Sequence, residues 1–174
     1  MAKLIFMSVA LVSLIGCGKD NKSETASDPL SPLAGTWLLQ INDKCGLGFT
    51  VNNGIYTRQL LCLETETKIN VQVEAGTITS TGSTMTTAST KHSCPGFVPS
   101  TLSNNYSFNS VGTALNIYDE GQILTFAKFV DNGQSSAGGT VITMGCYDAE
   151  GVFTPNPNYS LSESERENIK ASLR

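Results

Sequence analysis

The chain has 174 residues, of which 40% are hydrophobic, 15% charged and 7% aromatic. This length suits one domain rather than two, and the low charged content argues against a coiled coil or a long helical bundle. The net charge of −4 disfavours nucleic-acid binding by phosphate neutralisation. The single histidine, His92, disfavours a multi-histidine metal site.

Residues 1–16 have the pattern of a signal peptide. Lys3 is followed by an apolar run from Leu4 to Leu14, which is shorter than the roughly 20 residues that a membrane-spanning helix needs. The run leads into Leu14-Ile15-Gly16-Cys17, which resembles the lipobox of bacterial lipoproteins. The resemblance implies cleavage before Cys17, its acylation with chains such as palmitate, and a cell-envelope location. Gly18, where an aspartate would favour the inner membrane, implies the outer membrane. The alternative is an ordinary signal peptide with an incidental cysteine.

Residues 17–32 are expected to form the lipidated cysteine and a flexible tether, because the segment from Gly18 to Pro32 is polar. Removal of the signal peptide takes away Lys3 and leaves a net charge of −5. A negative domain is not attracted to anionic lipid. We therefore expect membrane attachment through the lipid anchor alone, with residues 33–174 forming the folded domain.

Four cysteines remain besides Cys17, and an even number in an exported chain predicts two disulfides. Three pairings are open. We favour Cys45–Cys62 and Cys94–Cys146, because the first pair flanks an expected hairpin. The alternative is a metal site that uses His92 and Cys94, but no CxxC motif or second histidine supports it. The sequence therefore predicts no metal and no cofactor.

Residues 33–153 read as about eight short, threonine-rich β-strands. The strict alternation from Lys68 to Glu74 predicts a half-buried antiparallel strand, with Ile69, Val71 and Val73 on one face. Asn53-Gly54 predicts a tight hairpin turn. The segment Thr77–Thr90 lacks large side chains and is expected to be an exposed or edge strand that turns at Thr81-Gly82-Ser83. The remaining expected strands are Gly35–Ile41, Gly46–Val51, Ile55–Leu63, Tyr106–Asn109, Thr113–Tyr118, Gln122–Val130 and Thr140–Tyr147.

The C-terminal segment is expected to be helical. Prolines at 155 and 157 end the sheet, and Ser160–Arg174 contains Ser162 and Glu165 at capping-box spacing. Leu161, Ile169 and Leu173 form a narrow apolar stripe. We expect this helix to pack against the sheet; docking to a partner is the alternative.

The motif Gly35-Thr36-Trp37 resembles the G-x-W signature on the first strand of lipocalins. The resemblance, together with the strand pattern, implies an all-β fold: an antiparallel up-and-down, lipocalin-like barrel of about eight strands with a C-terminal helix. In that family an arginine stacks over the tryptophan, but Arg58 and Arg166, the only candidates here, lie in no recognisable motif. The alternative is that Trp37 is a plain core residue of another small β-domain.

A barrel of eight strands has room for packed side chains or for one small ligand. The residues expected to line the interior are Trp37, Val71, Val73, Leu115, Ile117, Leu124 and Phe126. Whether these side chains fill the interior or leave a cavity depends on their volumes. The aromatic content of 7% favours a mostly filled interior. Two functions stay open. The first is binding of a small apolar ligand; the second is a non-enzymatic interaction or inhibitor module that contacts an envelope protein through the loops Lys91–Ser103 and Asp131–Gly139.

Catalysis is not expected. The chain has no G-x-S-x-G motif, and His92 lies in a proline-bounded loop segment. Glu64 and Glu66 share a strand face, but a glycosidase would need such a pair in a cleft. The acidic turns near Asp119 and Asp148 lack the ligand density of a calcium site.

Overall fold

The computed structural model describes residues 28–130, 141–160, 162, 163 and 165. Within them the chain forms ten β-strands: β1 (Gly35–Gln40), β2 (Cys45–Asn52), β3 (Ile55–Thr65), β4 (Lys68–Thr81), β5 (Thr84–His92), β6 (Thr101–Phe108), β7 (Ala114–Asp119), β8 (Gln122–Lys128), β9 (Val141–Tyr147) and β10 (Phe153–Pro155). The predicted all-β class is confirmed.

The first eight strands form a closed antiparallel barrel. Each strand from β1 to β8 pairs with the next in sequence. The barrel closes where β8 pairs with β1, through Trp37 opposite Lys128 and Leu38 opposite Ala127. The predicted eight-strand antiparallel barrel is therefore confirmed.

Short turns set the register of two of the hairpins. Asn53 and Gly54 both have positive φ, 49° and 76°, as the Asn-Gly signal predicted for the β2–β3 turn. Glu120 and Gly121 do the same between β7 and β8, with φ of 43° and 84°. Such turns match the right-handed twist of the paired strands. They fix which residues of each hairpin face inward.

The long strand β4 belongs to two pairings on one of its edges. Its second half, from Glu74 to Thr81, pairs with β5 inside the barrel. Its first half, from Lys68 to Val71, pairs in parallel with β9, which in turn pairs with β10. The expected strand Thr140–Tyr147 is therefore present as β9, but it extends the sheet outside the barrel.

The threonine-rich segment is not an edge strand. Thr77–Thr90 comprises the end of β4, the predicted turn at residues 81–83 and most of β5; the end of β4 pairs with β5, and β5 lies between β4 and β6. Ile78 and Met85 point into the core, while Thr77 and Thr79 are exposed. Only one face of each strand needs apolar side chains, because the opposite face meets water, so Ile78 and Met85 are enough to bury this segment against the core.

Both predicted disulfides are confirmed. Cys45–Cys62 links directly opposed residues of β2 and β3. Cys94–Cys146 joins the segment after β5 to β9. The second bridge holds the extension of the sheet onto the barrel, and because Cys94 is oxidised its thiolate is not available for a metal site with His92.

Two apolar clusters share the fold. The larger lies inside the barrel and contains Leu33, Trp37, Phe49, Val51, Tyr56, Ile78, Met85, Tyr106, Leu115, Ile117 and Phe126. The smaller contains Leu61, Ile69, Val71 and Val73, with Ile142, Met144 and Tyr159 packed against it. Because Gly76 and Ile78 share the inward face of β4, alternation places Val71 and Val73 on its outer face. The expectation that these two valines line the interior is therefore corrected.

The ends of the domain differ from their expected boundaries. Residues 28–34 form a hydrogen-bonded turn, in which Leu30 packs against the core and Leu33 is fully buried. The folded part thus includes residues that were expected to belong to the tether. The predicted helix Ser160–Arg174 is not shown: most of it lies outside the described residues, although Glu163 and Glu165 are helical. Ser162 and Glu165 do exchange the hydrogen bonds of a capping box.

Candidate ligand-binding site

One end of the barrel is filled. Trp37 and Leu115 are fully buried there, and the Trp37 Nε1–H donates to the Leu33 carbonyl oxygen at 2.8 Å. The Ser80 and Tyr106 hydroxyls lie 2.8 Å apart and satisfy each other inside this core. The turn that carries Leu33 therefore closes this end. We call it the closed end; the β2–β3, β4–β5 and β6–β7 turns surround it.

The other end contains a cavity of about 240 Å³. This open end is surrounded by the β1–β2, β3–β4, β5–β6 and β7–β8 connections. Because Arg58, Leu102 and Asp119 on its wall are exposed, the cavity opens to solvent. Most of the wall is apolar and consists of Leu47, Phe49, Leu60, Met85, Leu102, Ile117, Leu124 and Phe126.

The predicted lining residues divide into three groups. Ile117, Leu124 and Phe126 line the cavity. Trp37 and Leu115 are interior but belong to the packed closed end. Val71 and Val73 lie outside the barrel. The expectation of a mostly filled interior therefore holds for the closed half of the barrel, whereas the open half contains a cavity.

A polar cluster stands on one side of the cavity, on β3 and β4. The Arg58 Nη2 donates to Glu74 Oε2 at 2.6 Å, and the Tyr56 hydroxyl donates to Glu74 Oε1 at 2.6 Å. The Glu74 side chain is 13% exposed and that of Arg58 is 47% exposed. Burial raises the pKa of the Tyr56 phenol, and the hydrogen bond to Glu74 raises it further. Tyr56 therefore remains a neutral donor to the carboxylate.

His92 reaches the cavity through an irregularity in β5. Ala75 pairs with Lys91, but the next residue, Gly76, pairs with Ser89, so Thr90 is an extra residue in β5. Without this bulge, alternation from Met85 and Thr87 would turn Lys91 inward. With it, His92 lines the cavity and Lys91 bonds Glu165 outside at 2.8 Å.

The local contacts of His92 fix its protonation state. The Cys94 backbone N–H donates to His92 Nδ1 at 2.9 Å, and the ring stacks on Phe97 with centroids 5.0 Å apart. Burial lowers the pKa of His92 below its usual value of 6.5; Glu74 opposes this effect and Arg58 adds to it. Near neutral pH His92 is uncharged, with its proton on Nε2.

Two further polar groups complete the wall. The Gln72 Oε1 accepts the Tyr147 backbone N–H at 2.8 Å, which connects the cavity wall to β9. The Asn104 Nδ2 donates to Asp119 Oδ1 at 3.1 Å on the opposite side. Glu64, considered above with Glu66, instead pairs with Lys68 at 2.9 Å on the surface.

Sequence reasoning missed Arg58, Gln72, Glu74 and His92 as cavity residues. It assigned the apolar face of β4 to the interior, which left Gln72 and Glu74 outside. The Asn53-Gly54 turn held a usable signal, because it fixes the β2–β3 register and places Tyr56, Arg58 and Leu60 on one face. Nothing local in the sequence marks the bulge at Thr90.

Comparison with protein-family models, with curated proteins and with solved structures found no match to this chain. Among the described residues, no helix combines the length and the apolar character needed to cross a membrane. In the same part of the chain, no group of three or more histidine, cysteine, aspartate or glutamate residues could hold a metal ion. The site is thus defined by its own geometry: a solvent-open, largely apolar cavity with one polar side.

Proposed function

We propose that this chain is a lipid-anchored lipoprotein of the bacterial cell envelope whose lipocalin-like barrel binds a small, mainly apolar ligand at its open end. The observation that carries the proposal is the unequal filling of a closed barrel. One half is packed, and the other encloses about 240 Å³ between apolar walls. Concave, mostly apolar sites with a few polar groups are typical of small-molecule binding.

The surroundings of Trp37 support the lipocalin-like part. The tryptophan of the Gly35-Thr36-Trp37 motif lies on the first strand, as the resemblance implies, and it packs at the closed end. The cation expected over its ring is a lysine rather than an arginine: Lys128 Nζ, on the last barrel strand, lies 5.4 Å from the ring centroid.

The position of the N-terminal segment supports an anchored arrangement. The chain enters the barrel through Leu30 and Leu33 at the closed end. A lipid on Cys17 would therefore tether the molecule by this end, about ten residues before the described part begins, and leave the open end accessible. Two or more acyl chains would hold it stably. Replacement of Cys17 by serine should abolish the lipid and leave residues 1–16 uncleaved, and mass spectrometry of the wild type should find the lipid on Cys17.

A fluorescence titration tests the binding. The mature chain, residues 17–174 with Cys17→Ser, should bind the uncharged probe N-phenylnaphthylamine, with an increase in its emission. Leu124→Trp, which fills the cavity, should weaken binding by about ten-fold or more. Ile123→Trp is the matched control, because Ile123 is the neighbouring residue on β8 and is 59% exposed. No binding by the parent chain, or equal loss in both variants, would contradict the proposal.

An interaction module of the envelope is the second candidate. Val98, in the loop between β5 and β6, is 76% exposed, and an exposed apolar side chain at a loop tip suits a protein contact. The other loop expected to act, Asp131–Gly139, lies outside the described residues. Crosslinking from position 98 in intact cells should find one specific neighbour if this function holds, and should find none if the barrel only binds a ligand.

A further inference from the structure

The charges at the open end define the class of ligand, provided that the proposed binding function holds. We propose that this end selects uncharged amphiphiles with a hydrogen-bond-accepting head and rejects carboxylates and other anions of the same size. The inference depends on how Arg58 and Glu74 pair, on the surplus of acids around the opening, and on the donors left facing the cavity.

The cavity wall has no free positive charge among the described residues. Its one cationic side chain, Arg58, is bound to Glu74 at 2.6 Å. The wall also carries Asp119, so its formal charge is −1 with His92 neutral. An anionic head would have to lose its hydration without gaining a counter-ion, which is costly in a partly buried site.

The hairpin connections around the opening add to this effect. They carry Asp43, Glu66 and Glu120 against Lys44, while Glu64 and Lys68 pair with each other. An anion therefore approaches through a negative potential, which extends over about 10 Å at ordinary ionic strength.

The wall offers mostly donors to a ligand head. Arg58 uses only Nη2 in its bond to Glu74, and Gln72 uses only Oε1 in its bond to Tyr147, so the other N–H groups of both remain available among the described contacts. His92 adds Nε2–H, because Nδ1 accepts from Cys94. These three donors come from β3, β4 and β5, and the rest of the wall is mostly apolar. A carbonyl, ether or hydroxyl oxygen on an apolar body matches this arrangement.

Two probes with nearly the same aromatic skeleton test the selection: uncharged N-phenylnaphthylamine and its anionic analogue anilinonaphthalene sulfonate. In residues 17–174 with Cys17→Ser, we expect the uncharged probe to bind at least about ten-fold more tightly. Decanol should also displace it more effectively than decanoate. Higher salt should strengthen binding of the anionic probe and leave that of the uncharged probe nearly unchanged.

The variant Glu74→Gln tests whether the Arg58–Glu74 ion pair causes the preference for the uncharged probe. It frees the Arg58 charge, so the anionic probe should gain affinity until the two probes differ by less than about three-fold. Asp28→Asn is the control: it removes the same charge at the closed end and should leave the preference intact. If the parent chain binds neither probe, the binding function itself is overturned. Equal binding of both probes, a preference for the anionic probe, or no effect of Glu74→Gln would overturn the selection alone.

Discussion

At the scale of single residues, the most informative side chain is His92, the only histidine of the chain. It is half-buried between Phe97 and the polar cluster, with Glu74 and Arg58 as the charged groups that influence its pKa. Its local sequence suggested a solvated loop. The bulge at Thr90 instead gives it a fixed place in the cavity wall, so its titration should be visible in the stability of the fold.

The lowered pKa of His92 predicts a loss of stability in mild acid. In the unfolded chain the imidazole takes up a proton near pH 6.5, whereas in the folded chain it does so only at lower pH. The unfolded state therefore binds more protons in this window, and the free energy of unfolding falls as the pH drops below about 6.5.

Urea unfolding at pH 7.5, 6.5 and 5.5 measures this effect. In His92→Asn, the amide oxygen can replace Nδ1 as the acceptor for the Cys94 N–H, and the decrease between pH 7.5 and 5.5 should be smaller than in the parent. Equal decreases in the two proteins would show that His92 does not titrate with a lowered pKa.

At the scale of elements, β4 organises the molecule, because β5 and β9 share one of its edges. Gly76 lies at the divide, where an added Cβ would overlap the Ala88 carbonyl oxygen on β5. On the other side, the Ser93 hydroxyl accepts the Val73 N–H at 2.9 Å and donates to the Gly145 carbonyl oxygen. The extension formed by β9 and β10 is therefore held by four residue pairs with β4, by this serine, by the Gln72–Tyr147 hydrogen bond, by apolar packing of Ile142 and Met144, and by the Cys94–Cys146 bridge.

The two disulfides should differ in what their removal loosens. Cys94→Ser with Cys146→Ser opens a loop of 52 residues and should cost about 4 kcal/mol by chain entropy. Removal of Cys45–Cys62, with a separation of 17, should cost about 3 kcal/mol. Hydrogen exchange distinguishes them: the first change should expose amides of β9 and β10, and the second those at the open ends of β2 and β3. Faster exchange throughout the barrel after the first change would contradict the view that β9 and β10 form a separable extension.

At the scale of the whole molecule, the barrel is packed at one end and open at the other. Leu33 fills the closed end with its side chain. It is fully buried, and its carbonyl oxygen accepts the Trp37 indole N–H. The residues before β1 therefore complete the core instead of only linking it to an anchor.

Leu33→Ala should lower the free energy of unfolding by about 2–5 kcal/mol, because it leaves a void at the base of the core. Leu63→Ala is the control: Leu63 is 44% exposed and the change should cost less than about 1 kcal/mol. Chemical unfolding measures both. A small effect of Leu33→Ala would mean that the closed end does not depend on the N-terminal turn.

Much of the barrel was predictable because local patterns encode it. The Asn53-Gly54 turn, the alternation from Lys68 to Glu74 and the Gly35-Thr36-Trp37 motif each depend on residues close together in the chain, and the disulfides followed from the even number of cysteines besides Cys17. They gave the all-β class, about eight antiparallel strands and the disulfide pairing. These features follow from backbone sterics and from side-chain alternation, which act over a few residues.

The tertiary structure alone decided which face of β4 is the inside. Alternation showed that Ile69, Val71 and Val73 share a buried face, but burial against β9 and Tyr159 gives the same pattern as burial inside a barrel. Closure of β8 onto β1, the parallel addition of β9 and the bulge at Thr90 join residues that are far apart in sequence. Packing between distant segments therefore turned Gln72, Glu74 and His92 into the wall of the cavity, and no local preference could specify it.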